Sequence, residues 1–179
     1  MKQYGVGIVG TGWVAGEYIR AFSTHSLTEV RALCSRTPEG AKAKADEHGL
    51  TCPVFTDIDK MLALDGIDIV VVATPPHLHK TFAVAAAEAK KHLIIEKAMA
   101  TTLEDARAIR DAVSRARVKS VVSFVLRWNP LFEIIKIQLA DRVIGDVFYG
   151  EVDYFHGIGP WYKQYAWNVK RDIGVSSLL

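Results

Sequence analysis

Short apolar runs alternate with stretches of helical periodicity through the first two thirds of the chain. The runs Tyr4–Val9, Glu29–Cys34, Ile67–Ala73, His92–Ile95 and Lys119–Phe124 predict strands. The third, Ile67-Asp68-Ile69-Val70-Val71-Val72-Ala73, is almost continuously apolar and β-branched, as in a parallel strand covered on both faces. Helices are predicted between them at Val14–Phe22, Pro38–His48, Asp57–Leu64, Leu78–Ala89 and Leu103–Arg117. Proline opens the second and Gly49 follows it, and Glu104 and Asp105 lie in the first turn of the last, where the helix dipole favours anions. Alternation of strand and helix predicts an α/β fold with a doubly wound parallel sheet.

The pattern changes near Arg127-Trp128-Asn129-Pro130. A helix is predicted at Leu131–Asp141, then a long strand at Val147–His156 with one polar face, the mark of an antiparallel sheet. The expected organisation is residues 1–124 as the doubly wound domain and 125–179 as the first part of an α+β antiparallel-sheet domain, incomplete in itself. Gly157–Leu179 is aromatic-rich and reads as loop. An unpaired strand at Val147–His156 would be an open edge, so association into a homo-oligomer is expected.

Composition narrows the function. The chain has 179 residues, half of them apolar, and a formal net charge of +2. Without a run of Lys or Arg, that balance offers no nucleic-acid surface. Cys34 and Cys52 lack metal-type spacing, which fits a reduced, cytoplasmic chain. No apolar run approaches about 20 residues, so no membrane span is expected.

The chemistry gathers where strands end. Val6-Gly7-Ile8-Val9-Gly10-Thr11-Gly12-Trp13-Val14-Ala15 takes a strand through a G-x-G-x-x-A turn into a helix, the dinucleotide fingerprint in its proper context. Gly10 permits the tight turn, Gly12 lets the backbone approach a pyrophosphate, and Ala15 lets helix and strand pack closely. Amides around Thr11, Trp13 and Val14 then face the phosphates at the positive end of the helix. After the second strand stand Ser35 and Arg36 in place of the acidic residue of NAD-specific sites, so NADP is favoured over NAD. After the third come Thr74, Pro75 and Pro76, a stiff turn suited to the nicotinamide ribose, and then His77 and His79. These two histidines face different ways, and no metal is expected; His79 reads equally as a satisfied structural histidine. The fourth edge carries Glu96 and Lys97, read either as an acid and a base at a catalytic edge or as a surface ion pair. Burial beside the sheet would lower the lysine pKa.

Together, Gly10–Ala15, Ser35-Arg36, Ala73-Thr74-Pro75, His79, Glu96-Lys97 and the Gly145-Asp146-Val147 turn resemble the Gfo/Idh/MocA oxidoreductase family. The resemblance implies a Rossmann domain joined to a substrate-shaping and often oligomer-forming domain. It implies hydride transfer between NAD(P) and a hydroxyl or carbonyl carbon of a sugar, cyclitol or similar small molecule. Thr74, Pro75 and His79 match the cofactor-contacting loop of that family. Glu96 and Lys97 match its E-K-P motif, in which the lysine lies near the nicotinamide and contacts the reacting oxygen, so Lys97 is the catalytic residue implied. The sequence departs from the pattern at Ala98, where the family has proline, and at Pro76, where it often has asparagine. Asp172–Leu179 looks like the start of a second catalytic motif and ends before the expected histidine. That reads as a truncated chain, expected to bind dinucleotide and turn over poorly. Two other readings fit the same residues: a glycoside hydrolase that uses tightly held NAD, and a non-enzymatic sensor docking through Trp161, Tyr162, Tyr165 and Trp167.

Overall fold

The computed structural model describes residues 3–153, 159–161, 165–170 and 173. Two compact units emerge, one running to Ser123 and resuming at Trp167, the other covering Phe124–Ala166. In the first, β1 (Tyr4–Val9), β2 (Thr28–Cys34), β3 (Val54–Phe55), β4 (Ile69–Val72), β5 (His92–Ile95) and β6 (Ser120–Val122) form a single sheet in the order β3-β2-β1-β4-β5-β6. Every pairing is parallel. This is the doubly wound order in which the strand sequence reverses between β1 and β4, opening a crevice at their carboxyl ends.

The strands form because their side chains are buried on both faces. Val70, Val71 and Val72 are fully buried, which explains the unbroken apolar run of β4. Helices α1 (Trp13–Thr24) and α2 (Pro38–Glu47) pack Ala15, Ile19, Ala41 and Ala45 against Val6, Ile8, Leu33 and Val71. On the opposite face α3 (Ile58–Leu62), α4 (His79–Glu88) and α5 (Leu103–Ala116) pack Met61, Ala83, Ala86, Ala87, Ile109 and Ala112 against Val70, Val72, Leu93 and Ile95. Small alanines bring α4 close to the sheet. The Thr37, Asp57 and Thr102 side chains cap α2, α3 and α5 by accepting backbone N–H bonds.

The predicted elements of this unit agree with the structure to within two residues, and β3, only two residues long, is an addition. Cys34 closes β2 in the interior, and burial pushes its thiol up to about 11, which keeps it unreactive at neutral pH.

The second unit holds α6 (Pro130–Ala140), capped by the Asn129 side chain. The strand predicted at Val147–His156 is not formed over its described part: residues 147–153 are exposed and belong to no ladder. A strand needs a neighbour for its backbone N–H and C=O groups, and none of the described residues supplies one. Tyr154, Phe155 and His156 lie outside the described residues. A short helix, α7 (Tyr165–Asn168), stands within the stretch predicted to be loop. Among the described residues no helix is long and apolar enough to cross a membrane.

Candidate coenzyme site

Gly10 leaves β1 with φ +99°, a conformation that L side chains rarely adopt. A Cβ on it would lie 2.4 Å from the Ala73 carbonyl oxygen, so the turn rests directly on the end of β4. Its amide donates to the Cys34 carbonyl at 2.8 Å, tying it to β2 as well. Gly12, the N-cap of α1, has nothing within 4 Å of where a Cβ would stand. No side chain caps α1 and its first turn carries no acid, so its first amides are left for a ligand, with the positive dipole end unopposed. Trp13 is exposed beside this opening, Val14 is half-buried, and Ala15 is fully buried under the helix.

Beyond β2, the Thr11 and Ser35 hydroxyls stand 3.0 Å apart. The Thr37 hydroxyl accepts from the Gly40 amide at 3.2 Å, and a Cβ on Gly40 would lie within 3.7 Å of all three hydroxyls. Thr37 was absent from the sequence-based set because its capping role and its place beside Ser35 coincide only in the fold. Arg36 is exposed, and its guanidinium has no partner among the described residues. Hydroxyls and an exposed guanidinium thus stand at one strand end, groups that can donate to an anion.

Across the switch point, the Thr74 hydroxyl is buried without a hydrogen-bond partner in the structure. An unmet polar group at this edge fits a ligand that completes it. Pro75 and Pro76 follow, and the short 3-10 turn Pro76–Leu78 leads into α4.

His79 is fully buried. Its Nε2 lies 2.8 Å from the Thr74 carbonyl oxygen and its Nδ1 lies 2.9 Å from that of Ala98. Both ring nitrogens therefore face backbone carbonyl oxygens, one of the loop after β4 and one of the turn after β5. Burial holds the His79 pKa below the ordinary value, against the pull of the Thr74, Ala98 and Met99 carbonyls and of Glu96. The unfolded chain thus takes up its proton near 6.5 and the folded chain only at lower pH. In that window the unfolded state binds more protons, so stability falls as the pH is lowered. Urea midpoints compared at about pH 7.5 and about pH 5.5 should show a larger acid loss for the natural chain than for His79→Gln, which cannot titrate. An equal loss in both would contradict this.

Glu96 is held on both carboxylate oxygens. The Tyr18 hydroxyl of α1 donates to Oε1 at 2.6 Å, and the Lys97 amide donates to Oε2 at 3.1 Å. Burial and the Glu96 carboxylate push the Tyr18 hydroxyl above its usual range. Glu96 is thus a fixed tie between α1 and the end of β5, not an ion-pair partner of Lys97. Tyr18 was not foreseen, because nothing local in the sequence marks a contact 78 residues away. The Lys97 side chain is exposed rather than buried beside the sheet, since it leaves β5 at the rim.

The groups at the carboxyl edge fall into two sets about the glycine turn. Thr11, Ser35 and Arg36 lie on one side, at the end of β2. Thr74, Pro75, Glu96 and Lys97 lie on the other, at the ends of β4 and β5. Among the described residues no group of three or more His, Cys, Asp or Glu side chains is arranged to hold a metal ion. Of the aromatic group near the carboxyl terminus, Trp161 is exposed and Tyr162 lies outside the described residues, as do residues 171–172 and 174–179 of the segment read as a second catalytic motif.

Residues 4–124 match the model of a family described as an oxidoreductase family with an NAD-binding Rossmann fold. The chain is 30% identical over 154 residues to a D-apiose dehydrogenase of Paraburkholderia graminis, covering 86% of this chain and 41% of that protein. Its structure resembles the WlbA dehydrogenase of Bordetella pertussis, solved with NADH and UDP-GlcNAcA, with a TM-score of 0.74 and 29% identity over 79% of this chain and 43% of that one. A 3-ketoreductase of Actinomadura kijaniata, solved with TDP-benzene and NADP, gives a TM-score of 0.74 and 26% identity, covering 82% of this chain and 45% of that one. The chain therefore spans about two fifths of the length of these relatives.

Proposed function

The chain belongs to the Gfo/Idh/MocA oxidoreductase family, and from that membership we propose that it is the coenzyme-binding part of an NAD(P)-dependent dehydrogenase acting on a hydroxyl or carbonyl carbon of a sugar, cyclitol or related polyol. The observation that carries this is the opening above Gly12, bounded by an uncapped helix end and by a glycine that rests on β4. A pyrophosphate seated there accepts the first amides of α1. Gly10, Thr11, Gly12, Trp13 and Val14 line it. Ser35 and Arg36 take the adenine ribose, with NADP favoured over NAD. Thr74 and Pro75 face the nicotinamide half, His79 acts behind them, and Glu96 with Lys97 closes the edge.

When bound, the nicotinamide coenzyme supplies the hydride donor or acceptor. The chain supplies placement. Lys97, at the rim of β5, hydrogen-bonds the substrate oxygen, and its cationic head stabilises negative charge developing there. Glu96 fixes the backbone of that turn through its bond from the Lys97 amide. The substrate readings rest on the relatives, a D-apiose dehydrogenase and a dehydrogenase solved with a nucleotide sugar acid. Residues from 125 onward are read as the start of the substrate and oligomer domain of a cytoplasmic homo-oligomer.

Calorimetric titration with NADP and NAD separately tests the coenzyme reading. NADP should bind more tightly, and Arg36→Ala should weaken NADP about tenfold or more, the loss of one charge-assisted contact, while leaving NAD nearly unchanged. Equal affinities, or tighter NAD, would remove the role given to Ser35 and Arg36. No binding of either coenzyme would sink the whole reading.

A further inference from the structure

We propose that His79 is a positioning residue that locks the loop after β4 to the turn after β5, and so sets Lys97 against the nicotinamide half of the site. This rests on the reading of the strand edge as a dinucleotide site. His79 opens α4, yet its two ring nitrogens reach in opposite directions, to the carbonyl of Thr74 at 2.8 Å and to that of Ala98 at 2.9 Å. The first belongs to the loop carrying Thr74 and Pro75. The second belongs to the residue directly after Lys97. β4 and β5 are joined through their ladder only as far as Val72 and Ile95, and the Glu96 amide adds one further bond, to the Val72 carbonyl. Past that point, among the described residues, the imidazole bridges the two loops.

Chemistry makes this bridge unusual. Both partners are carbonyl oxygens, which only accept. A neutral imidazole has one N–H, so it can donate to one of them and turns a lone pair toward the other. Only the doubly protonated ring donates to both. Full burial of the ring opposes the charge, while the carboxylate of Glu96, held by Tyr18 and by the Lys97 amide, favours it. A buried side chain kept among acceptors that it satisfies together only at the cost of a charge is poorly explained as core filling, since an apolar residue would fill the same space without either contact. Holding two loops in register explains it.

The location gives the consequence. Gly12 and the end of β2 serve the pyrophosphate and adenine half, on one side of the switch point. The loops joined by His79 stand on the other side. Loosening them should weaken contacts to the nicotinamide half and leave the adenine half alone.

The test is calorimetric titration of the full chain, natural and substituted, with NADP and with adenosine 2′,5′-bisphosphate, which carries only the adenine half. His79→Ala should weaken NADP about tenfold, the value of one well-placed hydrogen bond, while the bisphosphate stays within about twofold. His79→Gln, which like the neutral ring can donate to one carbonyl, should stay closer to the natural chain than His79→Ala does. Equal weakening of both ligands would mark a general structural role and overturn the proposal, as would unchanged NADP affinity. If the natural chain binds neither ligand, the dinucleotide reading itself has failed, an outcome distinct from these. Should His79→Ala not fold, ring nitrogen NMR of the natural chain decides. The His79 signals should move on saturation with NADP and stay in place with the bisphosphate, and any other pattern overturns the proposal.

Discussion

Gly12→Val is expected to weaken NADP and NAD binding roughly a hundredfold while leaving the melting temperature nearly unchanged. The two halves of this expectation have separate physical causes. Stability is spared because Gly12 adopts φ −69° and ψ −175°, extended backbone open to any residue, and because no atom of the described residues lies within 4 Å of the added Cβ. The residual cost is the poorer N-cap quality of valine, less than about 1 kcal/mol. Binding suffers because that empty space is where the phosphates approach. Overlap forced on a ligand with no room to retreat costs about 1–3 kcal/mol, and the displaced phosphates also lose the amides at the start of α1. Thermal denaturation and calorimetry on the same preparation check both halves. A variant that binds either coenzyme as tightly as the natural chain would show that nothing sits above Gly12.

The glycine turn could be read from sequence because it states a backbone requirement: only Gly leaves β1 at φ +99°, and only a residue without Cβ leaves the opening above α1 empty. β4 was legible for a different reason. Burial of Val70, Val71 and Val72 on both faces leaves no polar position to interrupt the run. The two-residue β3 escaped because Val54–Phe55 is too short to carry a period. The segment 147–153 shows the converse error. Its alternation is real, but alternation describes a face, and a strand also requires a partner.

Within the site, the residue types were legible and their linkages were not. Glu96 and Lys97 stood out as an adjacent acid and base, yet Glu96 is held by Tyr18 and its own neighbouring amide. His79 was legible both as a histidine of the coenzyme loop and as a structural one, but not the two carbonyls that it faces. Such ties join positions distant in sequence, and no periodicity encodes them. Ser35 was legible as a strand-end hydroxyl, whereas its convergence with Thr11 and Thr37 required the packing of α2 against β2.

Gly10→Ala should behave in the opposite way to the change at Gly12, unfolding the chain far more readily. A methyl group at this position would stand 2.4 Å from the Ala73 oxygen, 2.7 Å from its carbon and 3.0 Å from the Thr74 nitrogen. All three are backbone atoms, so no side-chain rotation relieves the contact. Nor can the two segments part easily. The Ala73 amide donates to the Val9 carbonyl at 2.8 Å, and the Gly10 amide donates to that of Cys34 at 2.8 Å. Relief therefore requires breaking a ladder bond at the centre of the sheet. An L residue at such a φ costs about 1–3 kcal/mol, and overpacking adds about 1–3 kcal/mol more. A sum of roughly 2–6 kcal/mol is a large fraction of the ~5–15 kcal/mol that holds a domain together. At about 3–5 °C per kcal/mol, the melting temperature should fall by roughly 6–30 °C. Differential scanning calorimetry of the two glycine variants side by side checks it. A Gly10→Ala chain that melts with the natural one would mean that the turn does not rest on β4, and the crevice at the switch point would lose its floor.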